Sequence, residues 1–154
     1  MNQVHDPLFL PAPDATDRLA QSLAPHLRAG DCLLLEGQIG AGKTQFARAL
    51  IQCFVAEDVP SPTFTLVQTY DAPGFEIWHA DLYRLSHPDE AIELGLDEAF
   101  ETALCLVEWP GKLGPDRPKQ ALTLRFVPVD EGREVQFLSD NVLWSERLAA
   151  CLDV

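Results

Sequence analysis

The chain has 154 residues, 47% of them hydrophobic, which suffices for one domain with a true core and is too short for two of ordinary size. Its formal charge is −13, from 24 acidic residues against 11 Lys and Arg. Proteins that grip phosphate backbones do so with cations, so direct nucleic-acid binding is disfavoured. No apolar run approaches the length of a membrane span, and Met1 to Asp6 lacks the basic-then-apolar order of a signal peptide, so residues 1–154 are expected to form a single cytosolic unit. Cys32, Cys53, Cys105 and Cys151 are widely spaced, with no C-x-x-C, and read as buried reduced thiols.

In chain order, Leu8-Phe9-Leu10 reads as a short edge strand closed by Pro11 and Pro13. Asp14 then caps a helix with Leu19, Leu23 and Leu27 on one face, ended by Gly30. Cys32-Leu33-Leu34-Leu35 is an unbroken apolar run, the pattern of a strand buried on both sides, and Phe46, Ala47, Leu50, Ile51 and Phe54 recur at helical spacing after it. Pro60 to Thr63 breaks the pattern before two extended runs, Phe64 to Tyr70 and Phe75 to Ala80, joined by Ala72-Pro73-Gly74 as a hairpin. Ser86-His87-Pro88-Asp89 reads as a serine-capped helix start with Gly95 as its stop, and a second short helix covers Asp97 to Phe100. Leu104 to Val107 is a second buried strand, running into Glu108-Trp109-Pro110 and a Gly/Pro-rich loop from Gly111 to Pro118. Ala121 to Val127 and Arg133 to Leu138 form a hairpin around Asp130-Glu131-Gly132, and a last helix carries Leu143 and Arg147 outward and Leu148 and Leu152 inward.

Between the first buried strand and its helix lies Gly37-Gln38-Ile39-Gly40-Ala41-Gly42-Lys43-Thr44, which fits the phosphate-loop pattern G-x-x-x-x-G-K-S/T at every fixed position. Successive backbone N–H groups of such a loop, and the helix N-terminus behind it, face an anion, where the helix dipole favours negative charge. Gly37, Gly40, Ala41, Gly42, Lys43, Thr44 and Gln45 are therefore expected to hold a nucleotide, Lys43 at the β- and γ-phosphates and the Thr44 hydroxyl at Mg²⁺. Two buried strands imply helices on both faces of the sheet. The fold expected is α/β: a P-loop NTPase-like three-layer sandwich with a mixed, mostly parallel central sheet flanked by helices.

Magnesium–nucleotide chemistry needs a further acidic group at the end of a strand beside the phosphate-loop strand. Glu108 ends the stronger apolar run and is assigned to the metal or its waters; Asp81 ends a mixed run and is assigned to orienting water or a switch segment. Trp109 leaves the sheet at its carboxyl edge, where it either covers the site or belongs to the core. Ser61 and Thr63 fall where P-loop proteins often keep a γ-phosphate-sensing switch. Asp71 to Gly74 spells D-x-x-G, but it falls in a hairpin turn and no N-K-x-D accompanies it, so guanine specificity is unsupported. His79 and His87 lack a partner at ligand spacing and read as structural.

The phosphate loop, Ser61-Pro62-Thr63-Phe64-Thr65-Leu66-Val67, His79-Ala80-Asp81-Leu82-Tyr83-Arg84-Leu85, Gly95-Leu96-Asp97-Glu98 and Leu106-Val107-Glu108-Trp109-Pro110 together resemble the successive motifs of the bacterial TsaE family. The resemblance implies a small P-loop ATPase using ATP and Mg²⁺, which works with the TsaB and TsaD proteins to make threonylcarbamoyladenosine in tRNA. It further implies that Thr44 and Glu108 meet Mg²⁺, that Asp81 and Trp109 matter for ATPase action, and that Arg133 approaches the nucleotide. Gln38, Gln45 and Ala49 stand where family members usually carry Asp, Thr and Gly, which puts a second hydroxyl beside Thr44 in doubt and leaves the phosphate cradle untouched. Two other functions fit the loop. A small-molecule kinase needs a cationic lid, for which only Lys112, Arg117 and Lys119 are available between the late strands; a nucleotide-operated binding module would show negligible turnover. With a charge of −13, contact with tRNA is expected only through partners.

Overall fold

The computed structural model describes residues 1–60, 62 and 66–153. Its strands are β1 (Asn2–Leu10), β2 (Cys32–Glu36), β3 (Val67–Ala72), β4 (Phe75–Asp81), β5 (Leu104–Glu108), β6 (Leu122–Val129) and β7 (Gly132–Ser139). The helices are α1 (Pro13–Leu23), α2 (Lys43–Gln52), α3 (Asp89–Glu93), α4 (Leu96–Thr102) and α5 (Leu143–Leu152). One seven-stranded sheet runs in the order β1-β7-β6-β2-β5-β4-β3. Its inner strands β6, β2, β5 and β4 are parallel neighbours, and the hairpins β3/β4 and β6/β7 and the β1/β7 pair are antiparallel.

Strand β2 shows why its sequence is apolar throughout. Leu33 and Leu35 join one core with α1, α2 and α5, built around Leu19, Phe46, Ile51 and Leu148, while Cys32 and Leu34 join a second with Ala91, Leu96 and Ala99 of α3 and α4. A strand covered by helices on both sides has no face to give to water. The parallel register sets Leu35 beside Glu108 and Glu108 beside Asp81, so the acidic ends of β4 and β5 reach the sheet edge where β2 enters the phosphate loop. Among the described residues, no helix is long and apolar enough to cross a membrane.

Several local expectations are corrected. The amino-terminal strand is nine residues long, with register shifts on either side of His5, the second of them across Pro7, that an edge strand tolerates. Helix α1 starts at Pro13, whose fixed φ suits the first helical position, so Asp14 lies inside the first turn and pairs with Arg18 (2.8 Å) instead of capping. The helix stops at Leu23, because Pro25 has no N–H to continue the ladder, and Leu27 and Gly30 lie beyond it. Ser86 does not cap α3; the Glu90 carboxylate reaches back to accept the Ser86 and His87 amides. Gly95, with φ +86°, ends α3 as expected and opens α4 at once. Leu143 is exposed as expected, but Arg147 does not face outward and binds Asp31 (2.6 Å) and the His26 carbonyl. Cys53 is exposed, whereas the other three cysteines are buried.

His5 of β1 ties the sheet edge to the end of α5. Nδ1 meets the Asp6 carbonyl (2.8 Å) and Nε2 meets an Asp153 carboxylate oxygen (2.7 Å); both partners only accept, so only the imidazolium satisfies both contacts. Burial opposes that charge, but the Asp153 hydrogen bond, the Asp6 carbonyl and the two nearby carboxylates outweigh it and raise the His5 pKa above 6.5. Stabilisation from a raised histidine is fully present below the unfolded-state value and fades as pH rises through the folded-state one. Asp153→Asn should therefore cost a small amount, ~0.2–1 kcal/mol, at pH 5.5 and almost nothing at pH 8.5. Chemical denaturation of both proteins at the two pH values measures the difference, and an equal cost at both removes the linkage.

Candidate functional site

Gly37 leaves β2 with φ +148°, and a Cβ built on it would lie 2.8 Å from the Phe126 carbonyl oxygen, so the chain passes close under β6 where only glycine fits. Gly42, with φ +105°, is the residue before α2, and no side chain caps that helix. The first amides of α2 are thus left for a ligand, the arrangement that binds phosphate at helix N-termini. Above them lies a cleft of about 420 Å³ lined by the loop, Asp81, Glu108, Trp109 and Arg133, together with Pro62, Leu66, Tyr83 and Arg84.

Lys43 is 4% exposed, donates to the Gly37 carbonyl (2.5 Å) and lies 3.5 Å from the centre of the Trp109 ring. Burial lowers its pKa, and the charges of Glu108 and Asp81 partly restore it. Glu108 is 2% exposed, and both its oxygens are engaged: Oε1 accepts from the Thr44 hydroxyl (2.8 Å), and Oε2 contacts His79 Nε2 (2.7 Å). Asp81 Oδ1 accepts from the Tyr83 amide (3.1 Å). Its pKa is raised by burial and by the charge of Glu108, against the Tyr83 hydrogen bond and the charges of His79 and Lys43.

Trp109 takes a left-handed φ of +58° directly after β5, which swings its ring over Lys43 and against Tyr83 (5.0 Å between centroids). The ring thus lies over Lys43 and also packs partly on the second core. Arg133 crosses from β7 to donate to the Gly40 carbonyl (2.7 Å) and lies along Gly42. Gln45 also lines the cleft, and its side-chain amide is held by the Pro13 carbonyl (2.8 Å) and Asp17. Ser61 and Thr63 lie outside the described residues. His79 is the residue that sequence reasoning missed: it stands two positions before Asp81 on the same strand face, but its contact with Glu108 depends on the β4/β5 register.

Gly132, which sets Arg133 in place, has its own constraint. A Cβ there would lie 2.5 Å from the Leu10 carbonyl oxygen and 2.9 Å from Pro11 Cα, both backbone atoms. Gly132→Ala is expected to cost ~1–3 kcal/mol by forcing β1 and β7 apart. The corresponding fall in the unfolding midpoint is roughly 2–10 °C. Differential scanning calorimetry checks this, and an unchanged midpoint would show that the strands give way freely.

A buried parallel strand, a glycine loop and an uncapped helix, flanked by strand-end carboxylates, define the P-loop class of folds. The family model described as "Threonylcarbamoyl adenosine biosynthesis protein TsaE" matches residues 10–135, and the chain belongs to the TsaE family. The tRNA threonylcarbamoyladenosine biosynthesis protein TsaE of Bacillus subtilis is 36% identical over 128 residues, covering 81% of this chain and 80% of the relative. Its counterparts in Rickettsia conorii and Rickettsia felis are 49% and 47% identical, but the matches span 56% and 61% of those proteins' lengths. The crystal structure of Bacillus subtilis YdiB superposes with a TM-score of 0.75 at 28% identity, covering 92% of this chain and 90% of YdiB.

Proposed function

We propose that this protein binds ATP with Mg²⁺, hydrolyses it weakly alone, and serves as the ATP-dependent accessory of TsaB and TsaD in making threonylcarbamoyladenosine in tRNA. The observation that carries the nucleotide reading is the Thr44–Glu108 hydrogen bond at 2.8 Å beneath the uncapped start of α2. The Thr44 proton is committed to Glu108, which leaves the hydroxyl lone pairs for a cation. No group of three His, Cys, Asp or Glu side chains suited to a metal occurs among the described residues. One hydroxyl and one or two carboxylates instead fit Mg²⁺, which completes its shell with phosphate oxygens and water.

Bound Mg²⁺ would supply charge neutralisation on the phosphates. Thr44 and Glu108 would hold it, Lys43 would leave the Gly37 carbonyl for the phosphates, and Asp81 would accept a hydrogen bond from the attacking water. Because Lys43 is engaged by Gly37 and covered by Trp109, slow turnover in the free protein is the expected resting behaviour. The kinase alternative loses support: Arg117 is held by Glu36 (2.6 Å), and neither it, Lys112 nor Lys119 lines the cleft.

The pathway rests on family membership, and the charge bears on how tRNA is met. Between Arg84 and Lys112 the chain has no Lys or Arg, and Asp89, Glu93, Asp97, Glu98 and Glu101 are all exposed there. Such a surface repels a phosphate backbone, so tRNA contact belongs to the partners. A pull-down with TsaB and TsaD, with and without ATP, beside a phosphate-release assay and a tRNA gel shift, tests this. Association that needs ATP, stimulated hydrolysis and no shift by this protein alone are expected. Failure to associate in any nucleotide state removes the pathway, a salt-sensitive shift by this protein alone refutes the charge argument, and association without phosphate release favours a binding module.

A further inference from the structure

The inner face of β4 carries Ile77, His79 and Asp81 in succession, and the register sets them beside Leu104, Leu106 and Glu108 of β5. His79 is fully buried (0% exposed), between Ile77 and Asp81 on its own strand and beside Leu106 of β5. A polar ring there costs stability unless a hydrogen bond compensates it, and Nε2 makes one to Glu108 Oε2 at 2.7 Å. A carboxylate only accepts, so Nε2 carries the proton; Nδ1 is buried with no partner among the described residues. Thr44 holds the other oxygen of the same carboxylate at 2.8 Å.

We propose that His79 is a positioning residue that fixes the Glu108 carboxylate, and through it the Thr44 hydroxyl, in the orientation that receives a divalent cation. The inference rests on the reading of Glu108 as a metal-side group. A carboxylate held at one oxygen pivots about that contact; held at both, it has one orientation, and the Thr44 proton is drawn to Oε1 with the hydroxyl lone pairs turned elsewhere. Partners of this kind, one step removed from the metal, typically set its affinity without touching it.

The test compares His79→Gln, whose amide nitrogen reaches about where Nε2 stands, with His79→Asn, which is one methylene too short, and with His79→Leu, which has no donor. Calorimetric titration with ADP, with and without Mg²⁺, is read beside circular dichroism and a thermal midpoint. His79→Asn and His79→Leu should lose ~10–100-fold in Mg·ADP affinity while metal-free ADP binding stays within about twofold, and His79→Gln should recover most of the loss. Wild-type Mg·ADP binding by a folded Asn or Leu variant, a Gln variant no better than Asn, or equal losses with and without Mg²⁺ would each overturn the proposal. If the Leu variant fails to fold, the Gln and Asn pair decides. Glu108→Gln, titrated alongside, separates the two readings: if it loses the Mg²⁺ preference and the His79 variants keep it, only the role of His79 falls; if it keeps the preference, the reading of Glu108 falls and this inference with it.

Discussion

Lys43→Ala should lower ATP hydrolysis by at least ~10²-fold while leaving the circular dichroism spectrum unchanged. The size follows from what the side chain is. It is the one ammonium group buried within the loop itself, and its place beneath Trp109 excludes much of the water that would screen it. Arg133 and Arg84 line the same cleft, but Arg133 is engaged with the Gly40 carbonyl and comes from another strand, so it cannot replace a charge carried on the first turn of α2. Folding should survive, because the hydrogen bond lost is one to the Gly37 carbonyl and the loop keeps its glycines and the Ala41-to-Gln38 turn bond. Phosphate release measured with and without partner proteins decides it. Wild-type hydrolysis by a folded variant would mean the loop is not where the nucleotide reacts.

Glu108→Gln and Asp81→Asn should differ in kind. The Gln amide puts a donor where Glu108 now accepts from both Thr44 and His79, so one of the two contacts must break or reverse, and a reversed Thr44 contact takes up a hydroxyl lone pair that the cation would need. A loss of ~10–100-fold in Mg·ADP affinity is expected, with metal-free ADP much less affected. Asp81 is more open, and burial and the charge of Glu108 raise the pKa of its carboxyl. Its replacement should leave Mg·ADP binding nearly intact and lower turnover by ~10²-fold or more. Titration calorimetry separates binding from turnover. The reverse pattern would show that the two carboxylates have exchanged roles.

Much of this was legible in the residues because it depends on local pattern. Gly37 to Thr44 constrains its own backbone, since glycines that must pass φ +105° or under a neighbouring carbonyl leave few other choices. The apolar runs Cys32–Leu35 and Leu104–Val107 announce strands covered on both sides, and Pro73-Gly74 announces its hairpin. Where local signals competed, the boundary shifted: Pro25 ended α1 before Gly30 could, and the Glu90 carboxylate, not the Ser86 hydroxyl, ties the chain ahead of α3.

What only the tertiary structure decided is which distant residues touch. Glu108 and Asp81 could both be proposed from strand ends, but their adjacency, and the clamp of Glu108 between Thr44 and His79, required β5 to insert between β2 and β4 in one register. The position of Trp109 over Lys43 depends on a left-handed turn at a residue that rarely takes one, held by packing against Tyr83. Periodicity and motif spacing report what the chain does within one turn or one strand. Strand order and register are set by how two separate cores close on the two faces of the sheet, an energy shared by residues far apart in sequence.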